Sequence, residues 1–147
     1  MKKITIILAM ALTASTAFAF TGGETANNQA LNTFNSDFVK ATDATWTGGK
    51  DFDKVTFTMN DQQLVAYYTK SGEFMAVTRN ISSVQLPANL KKSLKKLMSN
   101  YWISDLFEIN NNLDQTSWYV TLETADSKIV LRSNNGGHWT VFQKSDK

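Results

Sequence analysis

Cysteine is absent from this 147-residue sequence, and histidine and proline occur once each. Without cysteine the chain has no disulfide bond, thiolate metal site, cysteine nucleophile or lipid-modified cysteine of a bacterial lipoprotein. The one histidine, His138, excludes metal sites built from several histidines and makes any serine–histidine triad depend on a single residue. The chain must therefore be stabilised by packing alone.

Positive and negative charges are also balanced when residues 1–19 are left out of the count. Two early lysines, a short apolar run and an Ala-Phe-Ala site predict a secretory signal peptide over residues 1–19, cut before Phe20. Those residues hold two of the 15 basic residues and none of the 13 acidic ones, so the mature chain carries 13 of each. We therefore expect an exported protein, periplasmic or secreted, with no nucleic-acid partner and no transmembrane segment after cleavage.

What the mature chain does contain is a pattern that recurs after 65 residues. Residues 20–28 are small and polar and predict a flexible leader. Residues 29–147 predict a single domain made of two repeats, 29–85 and 86–147. The 65-residue shift superposes apolar strand positions and a turn glycine. The superposed pairs are Val55/Val120, Phe57/Leu122, Leu64/Ile129, Ala66/Leu131, Gly72/Gly137, Phe74/Trp139 and Ala76/Val141.

Each repeat reads as a helix followed by an antiparallel meander. Apolar spacing predicts helices over residues 29–42 and 88–101, the second starting after Pro87. Alternation and turn residues predict the strands, and a further weak strand at 44–47 is left open. The predicted strands are 52–59, 63–70, 73–81, 102–109, 116–124, 127–133 and 138–143, with a frayed tail from 144 to 147. The predicted fold class is α+β, one sheet of about seven to eight strands with both helices on one face.

Strand alternation divides the side chains between the two faces of the sheet. We expect one set beneath the helices: Val55, Phe57, Leu64, Ala66, Phe74, Ala76, Val120, Leu122, Ile129, Leu131, Trp139 and Val141. The opposite set mixes threonines and cations with large apolar and aromatic residues: Lys54, Thr56, Val65, Tyr67, Met75, Val77, Arg79, Tyr119, Thr121, Val130, Arg132, Thr140 and Phe142.

The mixed face is a candidate protein-binding surface, because amphipathic aromatics beside arginine are enriched in recognition surfaces. Its candidate residues are Tyr67, Met75, Arg79, Tyr119, Arg132 and Phe142. The alternative is that these side chains form cross-strand pairs that only stabilise an exposed sheet. The second helix also carries Lys91, Lys92, Lys95 and Lys96 opposite its leucines. These lysines are either a solvated face or a docking patch for an anionic partner, and the balanced charge of the mature chain favours the solvated face.

Residues for catalysis, cofactors or metals are not predicted. His138 lies beside a double-glycine turn, and no G-x-S-x-G sequence precedes a helix. The nearest acidic pairs, Asp51 with Asp53 and Asp105 with Glu108, lack the spacing of a calcium loop and are interpreted as solvated or strand-edge charges. The protein is therefore expected not to be an enzyme.

The stretch AYYTKSGEFMAVTRNISSVQLPANLKKSLKKLMSNYWISDLFEI resembles the exported PepSY-like proteins of Bacteroidota, also called β-lactamase-inhibitor-like. The matching features are Tyr67-Tyr68, Gly72, Leu86-Pro87, the amphipathic helix that follows and Tyr119. The resemblance implies a tandem helix-plus-sheet fold, export, and a binding or inhibitory role. By this resemblance, the sheet face and its loops are the surface that would contact an enzyme, as they do in β-lactamase inhibitors of this architecture.

Two functions follow as hypotheses. The first is a non-enzymatic, exported binding module, hydrolase-inhibitor-like, that engages another exported or envelope protein through the open sheet face. The alternative is a structural or envelope-stress component that acts by self-association or surface contact.

Overall fold

The computed structural model describes residues 26–147, which form two helices and one eight-stranded antiparallel sheet. The predicted signal peptide and most of the predicted leader lie outside the described residues. Strands that follow each other in the chain are neighbours in the sheet, so β1 to β8 form an uninterrupted meander. The helices are α1 (Asn28–Asp37) and α2 (Ala88–Leu97), and the strands are β1 (Thr42–Gly48), β2 (Phe52–Met59), β3 (Gln62–Thr69), β4 (Phe74–Asn80), β5 (Trp102–Asn111), β6 (Thr116–Glu123), β7 (Ser127–Ser133) and β8 (Thr140–Asp146).

Both helices end earlier than their apolar patterns predict. Asn27 caps α1 by accepting a hydrogen bond from the Gln29 N–H at 2.8 Å, and the helix ends at Asp37, not at residue 42. Phe38 has left helical geometry but still packs in the core, which is why the apolar spacing continued past the helix. In the same way α2 ends at Leu97, and Tyr101 packs against the core from outside the helix.

Each helix covers its own apolar cluster on the sheet. The cluster beneath α1 contains Ala30, Phe34, Val55, Phe57, Ala66 and Tyr68. The cluster beneath α2 contains Ile81, Leu86, Leu90, Leu94, Leu106, Val120, Leu122 and Leu131. Val55 in the first cluster and Val120 in the second both have no exposed surface.

The two helices lie on the same side of the sheet. Arg79 on β4 pairs with Glu108 on β5. Val77, two residues before Arg79, packs in the α1 cluster, and Leu106, two residues before Glu108, packs in the α2 cluster. Because residues two apart in a strand share a face, all four side chains lie on the helix side. The other face has no helix of residues 26–147 against it, and we call it the open face.

The predicted alternation is wrong along β4. Tyr67 lies opposite Ala76 and Tyr68 lies opposite Phe74, so Met75 is an extra residue in a β-bulge. A bulge reverses the faces of every residue beyond it. Ala76 consequently faces the open side, whereas Val77 and Arg79, predicted on the open side, lie on the helix side.

The last hairpin also departs from prediction. The glycine with positive φ is Gly136, at +73°, and not Gly137, whereas Gly72 has φ +86° as the turn requires. Strand β8 runs from Thr140 to Asp146, so most of the tail expected to fray is paired with β7. Val141 lies opposite Leu131 but is 67% exposed, since β8 is the sheet edge and α2 does not cover it. The segment around residues 44–47 is part of β1.

The join between β4 and β5 should control the stability of the whole sheet. Ile109 on β5 is buried on the open face beside Ala76 and Phe107, where β4 meets β5. We expect Ile109→Ala to lower the free energy of unfolding by about 2–5 kcal/mol, because it leaves a cavity at this join. Urea unfolding followed by circular dichroism measures the change.

The matched control is Val141→Ala, which removes an exposed branched side chain from the edge strand and should change the free energy by no more than about 0.5 kcal/mol. If both substitutions lower the free energy of unfolding by the same amount, the packing of Ile109 on the open face does not stabilise the join between β4 and β5.

Candidate protein-binding face

An aromatic group with one arginine lies on the open face of the second half of the sheet. The Phe107 and Tyr119 rings are stacked, with centroids 5.3 Å apart and planes 4° from parallel. Phe142 meets Tyr119 edge to face at 5.4 Å. The Arg132 guanidinium carbon lies 5.3 Å from the centre of the Phe142 ring, in cation–π geometry. We call Phe107, Tyr119, Arg132 and Phe142 the open-face patch.

The floor of this patch is packed and its rim is partly exposed. Phe107 is 6% exposed and forms a small cluster with Ala76 and Ile109, although no helix of the described residues covers them. Larger neighbouring side chains such as Tyr119 provide the cover. Tyr119, Arg132 and Phe142 themselves remain half-buried, so their outer surfaces are accessible to a partner.

The structure brings together three of the six predicted face residues, Tyr119, Arg132 and Phe142. Tyr67 lies on the same face in the first half of the sheet, where its ring meets Phe52 edge to face at 5.7 Å. It is only 9% exposed, so it offers little surface to a partner.

The remaining predicted residues behave differently. Met75 is the half-buried bulge residue of β4. Arg79 lies on the helix side, where its guanidinium pairs with the Glu108 carboxylate and donates to Gln62 Oε1 at 3.0 Å. Phe107 belongs to the patch but was missed. Alternation along β5, with Leu106 and Glu108 facing one way and Phe107 and Ile109 the other, was the signal that could have found it.

The two tyrosines of the Tyr67-Tyr68 pair point to opposite faces and both have raised pKa values. Burial raises the pKa of Tyr67, and the hydrogen bond with the Thr78 side chain opposes the shift. Burial raises the pKa of Tyr68 more strongly, and the nearby Asp37 carboxylate adds to it. The Tyr68 hydroxyl has no hydrogen-bond partner among residues 26–147. Tyr68 is thus a core residue, and both rings stay neutral at physiological pH.

A second polar group lies where β5 begins, with Glu123 at its centre. The Lys147 ammonium is 2.6 Å from a Glu123 carboxylate oxygen and stacks 5.0 Å from the centre of the Trp102 ring. The hydrogen bond from Lys147 is the main cause that lowers the pKa of the Glu123 carboxyl, and a hydrogen bond from Ser104 lowers it further. These contacts anchor the end of the chain against β5 and β6.

A shallow cavity of about 280 Å³ opens between the end of β4 and the start of β5. Its lining residues are Asn80, Ile81, Ser82, Ser83, Ile103, Ser104, Asp105 and Leu106. Asp105 is the only titratable side chain in it, and burial raises the pKa of that carboxyl. The cavity lining contains no histidine or lysine, so a serine paired with either of those bases is not assembled there.

The acidic pairs noted in the sequence are separated or neutralised. Asp53 is 1% exposed and forms an ion pair with Lys70, whose ammonium lies 2.8 Å from its carboxylate. Glu108 pairs with Arg79 on the helix side, whereas Asp105 faces the open side. His138 is exposed before β8. Among residues 26–147 no three acidic, histidine or cysteine side chains cluster as metal ligands.

Several solved structures from Bacteroides species are similar to this fold. A DUF2874 family protein from Bacteroides ovatus superposes with a TM-score of 0.73 at 15% identity, covering 84% of this chain and 89% of its own. A Bacteroides eggerthii protein provisionally described as periplasmic superposes with a TM-score of 0.72 at 13% identity. The match covers 83% of this chain and 89% of the Bacteroides eggerthii chain. A BLIP-like protein from Bacteroides fragilis superposes with a TM-score of 0.68 at 13% identity. The match covers 87% of this chain and 89% of the Bacteroides fragilis chain.

At these identities the likeness shows the fold alone. The chain therefore has a BLIP-like fold dominated by one antiparallel sheet. No protein-family model matches the sequence, and no curated protein matches it closely. Neither α1 nor α2 has the length and hydrophobicity of a bilayer-spanning helix.

Tyr67 gives a direct test of the packing on the open face. Folding raises its pKa, so its stability contribution is fully present below the unfolded pKa of about 10 and is lost as the pH rises through the folded value. We expect Tyr67→Phe, which cannot ionise, to lose stability less steeply than the wild type at alkaline pH. Thermal unfolding midpoints measured from neutral to alkaline pH provide the comparison.

Below about pH 9 the two proteins should differ by a constant amount, which reports the lost hydrogen bond to Thr78. Parallel curves across the whole range would show that Tyr67 is not held in the buried, neutral form.

Proposed function

We propose that this chain is an exported, non-enzymatic protein-binding module that engages another exported or envelope protein through the open-face patch. The observation that carries the proposal is the uncovered cation–π and aromatic arrangement of Tyr119, Arg132 and Phe142. Aromatic and arginine side chains are the residue types most often responsible for binding energy at protein interfaces. Their mutual contacts hold them in place before binding, which lowers the entropy lost on association.

A hydrolase is the partner class that we favour. One structural neighbour is BLIP-like, and the sequence resemblance to β-lactamase-inhibitor-like and PepSY-like proteins points the same way. An inhibitor needs a rigid binding surface, and the mutual packing of Phe107, Tyr119 and Phe142 on the sheet face fits that need. The signal peptide predicted over residues 1–19 and the Bacteroides eggerthii neighbour both support action outside the cytoplasm.

We also interpret the single domain as two copies of one helix-plus-meander unit, residues 29–85 and 86–147. Equivalent burial of Val55 with Val120 and of Phe57 with Leu122 supports this interpretation. On this view the open-face patch is a property of the second copy, because the corresponding region of the first copy has the buried Tyr67 and the bulge at Met75.

The proposal is tested by capture with Arg132→Ala/Phe142→Ala. Both side chains are half-buried on β7 and β8, so truncation should leave the thermal midpoint within a few degrees. We expect capture of the partner to fall by at least about tenfold, since the arginine and one of the accessible aromatic side chains of the patch are lost. The measurement is cross-linked capture from native envelope and secreted fractions, quantified by mass spectrometry, with inhibition assays on purified β-lactamases beside it.

The matched control, Val39→Ala/Lys40→Ala, removes one apolar residue and one cation from the exposed segment after α1. It should retain full capture. If both double variants recover the same proteins as the wild type, the patch is not the binding site. If no protein is enriched and sedimentation shows concentration-dependent oligomers, self-association replaces the proposal.

A further inference from the structure

The outer side of α2 carries four lysines and no acidic residue. Lys91, Lys92, Lys95 and Lys96 are all exposed. The helix points Leu90 and Leu94 into the core, so the lysines project away from the sheet. We call these four residues the lysine face. It lies on the helix side of the molecule, opposite the open-face patch.

The lysine face does not stabilise the helix that carries it. Lys91 and Lys95 are four residues apart, as are Lys92 and Lys96, and like charges at this spacing destabilise a helix. Lys95 and Lys96 lie in the last turn, where the helix dipole favours cations. Lys91 and Lys92 lie in the N-terminal half, where that benefit is absent. Folding alone therefore does not explain this clustering of charge.

Neighbouring elements do not neutralise the lysine face either. None of its four side chains forms an ion pair with a carboxylate of residues 26–147. Lys91 donates to the Val84 carbonyl oxygen at 2.8 Å, which is a neutral acceptor. In a mature chain that carries 13 charges of each sign, this is a strong local concentration of positive charge.

Exposed apolar side chains border the lysine face. Val84, held beside Lys91 by that hydrogen bond, is 72% exposed, and Met98 at the end of α2 is 47% exposed. Cations flanked by exposed apolar residues suit the boundary of a lipid bilayer, where headgroup phosphates attract the lysines and short apolar side chains enter between headgroups. An acidic protein partner would satisfy the charges but would have no general need for the apolar border.

We propose that the lysine face of α2 docks the protein on an anionic lipid surface. The contact is peripheral, because the apolar side of α2 is already buried in the core and the side that faces outward is mainly lysine, with Val84 and Met98 at its border. Docking on this side directs the open-face patch away from the lipid. This binding is separate from the proposed function, since it uses the other side of the sheet.

The test is co-sedimentation of the exported protein with vesicles of phosphatidylglycerol and phosphatidylcholine in equal parts. We expect binding that disappears with vesicles of phosphatidylcholine alone and weakens as salt is added. Lys91→Glu/Lys92→Glu should weaken binding by at least about tenfold. The same change creates Glu–Lys pairs four residues apart and places acids nearer the helix N-terminus, so the thermal midpoint should stay equal or rise.

Two further variants separate docking from net charge and from damage to the fold. Lys40→Glu/Lys50→Glu changes the total charge by the same amount at exposed sites outside α2 and should bind within about twofold of the wild type. Lys92→Gln/Lys96→Gln removes charge without reversing it and should also weaken binding. Equal losses in the Lys40/Lys50 and Lys91/Lys92 variants, or no dependence on phosphatidylglycerol, would overturn the proposal. Binding to the vesicles would also be explained by simple ion binding if inorganic phosphate, at the same concentration as the lipid phosphate, released the protein from them. That result would likewise overturn the proposal.

Discussion

The pairing of β4 with β5 is the interaction on which the rest of this structure depends. It joins two four-stranded halves whose helix-side cores are separate clusters. Five residue pairs, from Ala76 with Asn111 to Asn80 with Phe107, form the ladder between them. Without cysteine no disulfide supports this join. The Arg79–Glu108 ion pair on one side and the packing of Ile109 on the other are what reinforce it.

This requirement shapes the candidate site. Phe107 serves both as a buried part of the join and as the platform on which Tyr119 stacks. A residue with both roles cannot become polar or small without weakening the sheet, so the centre of the open face must stay apolar. Variation that changes partner preference is therefore easier at the rim, where Arg132 and Phe142 belong to the last two strands and contribute little to the join.

The sequence predicted the fold well wherever strands alternate without interruption. Val120 and Leu122 on β6 are buried as expected, and so is Leu131 on β7. Prediction failed at β4 because Ala76 and Val77 are both apolar and adjacent, so either could face the core, and only the observed register locates the bulge. Of the candidate face, Tyr119 and Arg132 could be inferred from the regular alternation of β6 and β7. Phe142 lies on the expected face although the β7–β8 register shifts at this residue. Arg79 was misplaced by the bulge, and the near-complete burial of Tyr67 depends on neighbours that no local pattern reveals.

The two halves of the chain differ in chemistry on both sides of the sheet. On the helix side, α1 has no lysine and α2 has four, although both helices bury a similar apolar stripe. On the open side, the first half buries Tyr67 and the second half presents the patch. The lysine face and the open-face patch both lie in the second half of the chain, on opposite sides of β5 to β8. Because strands β5 to β8 separate the lysine face from the open-face patch, a contact on one leaves the other accessible. Within residues 26–147 the helices cover one side of a single sheet, and this arrangement holds the two surfaces back to back.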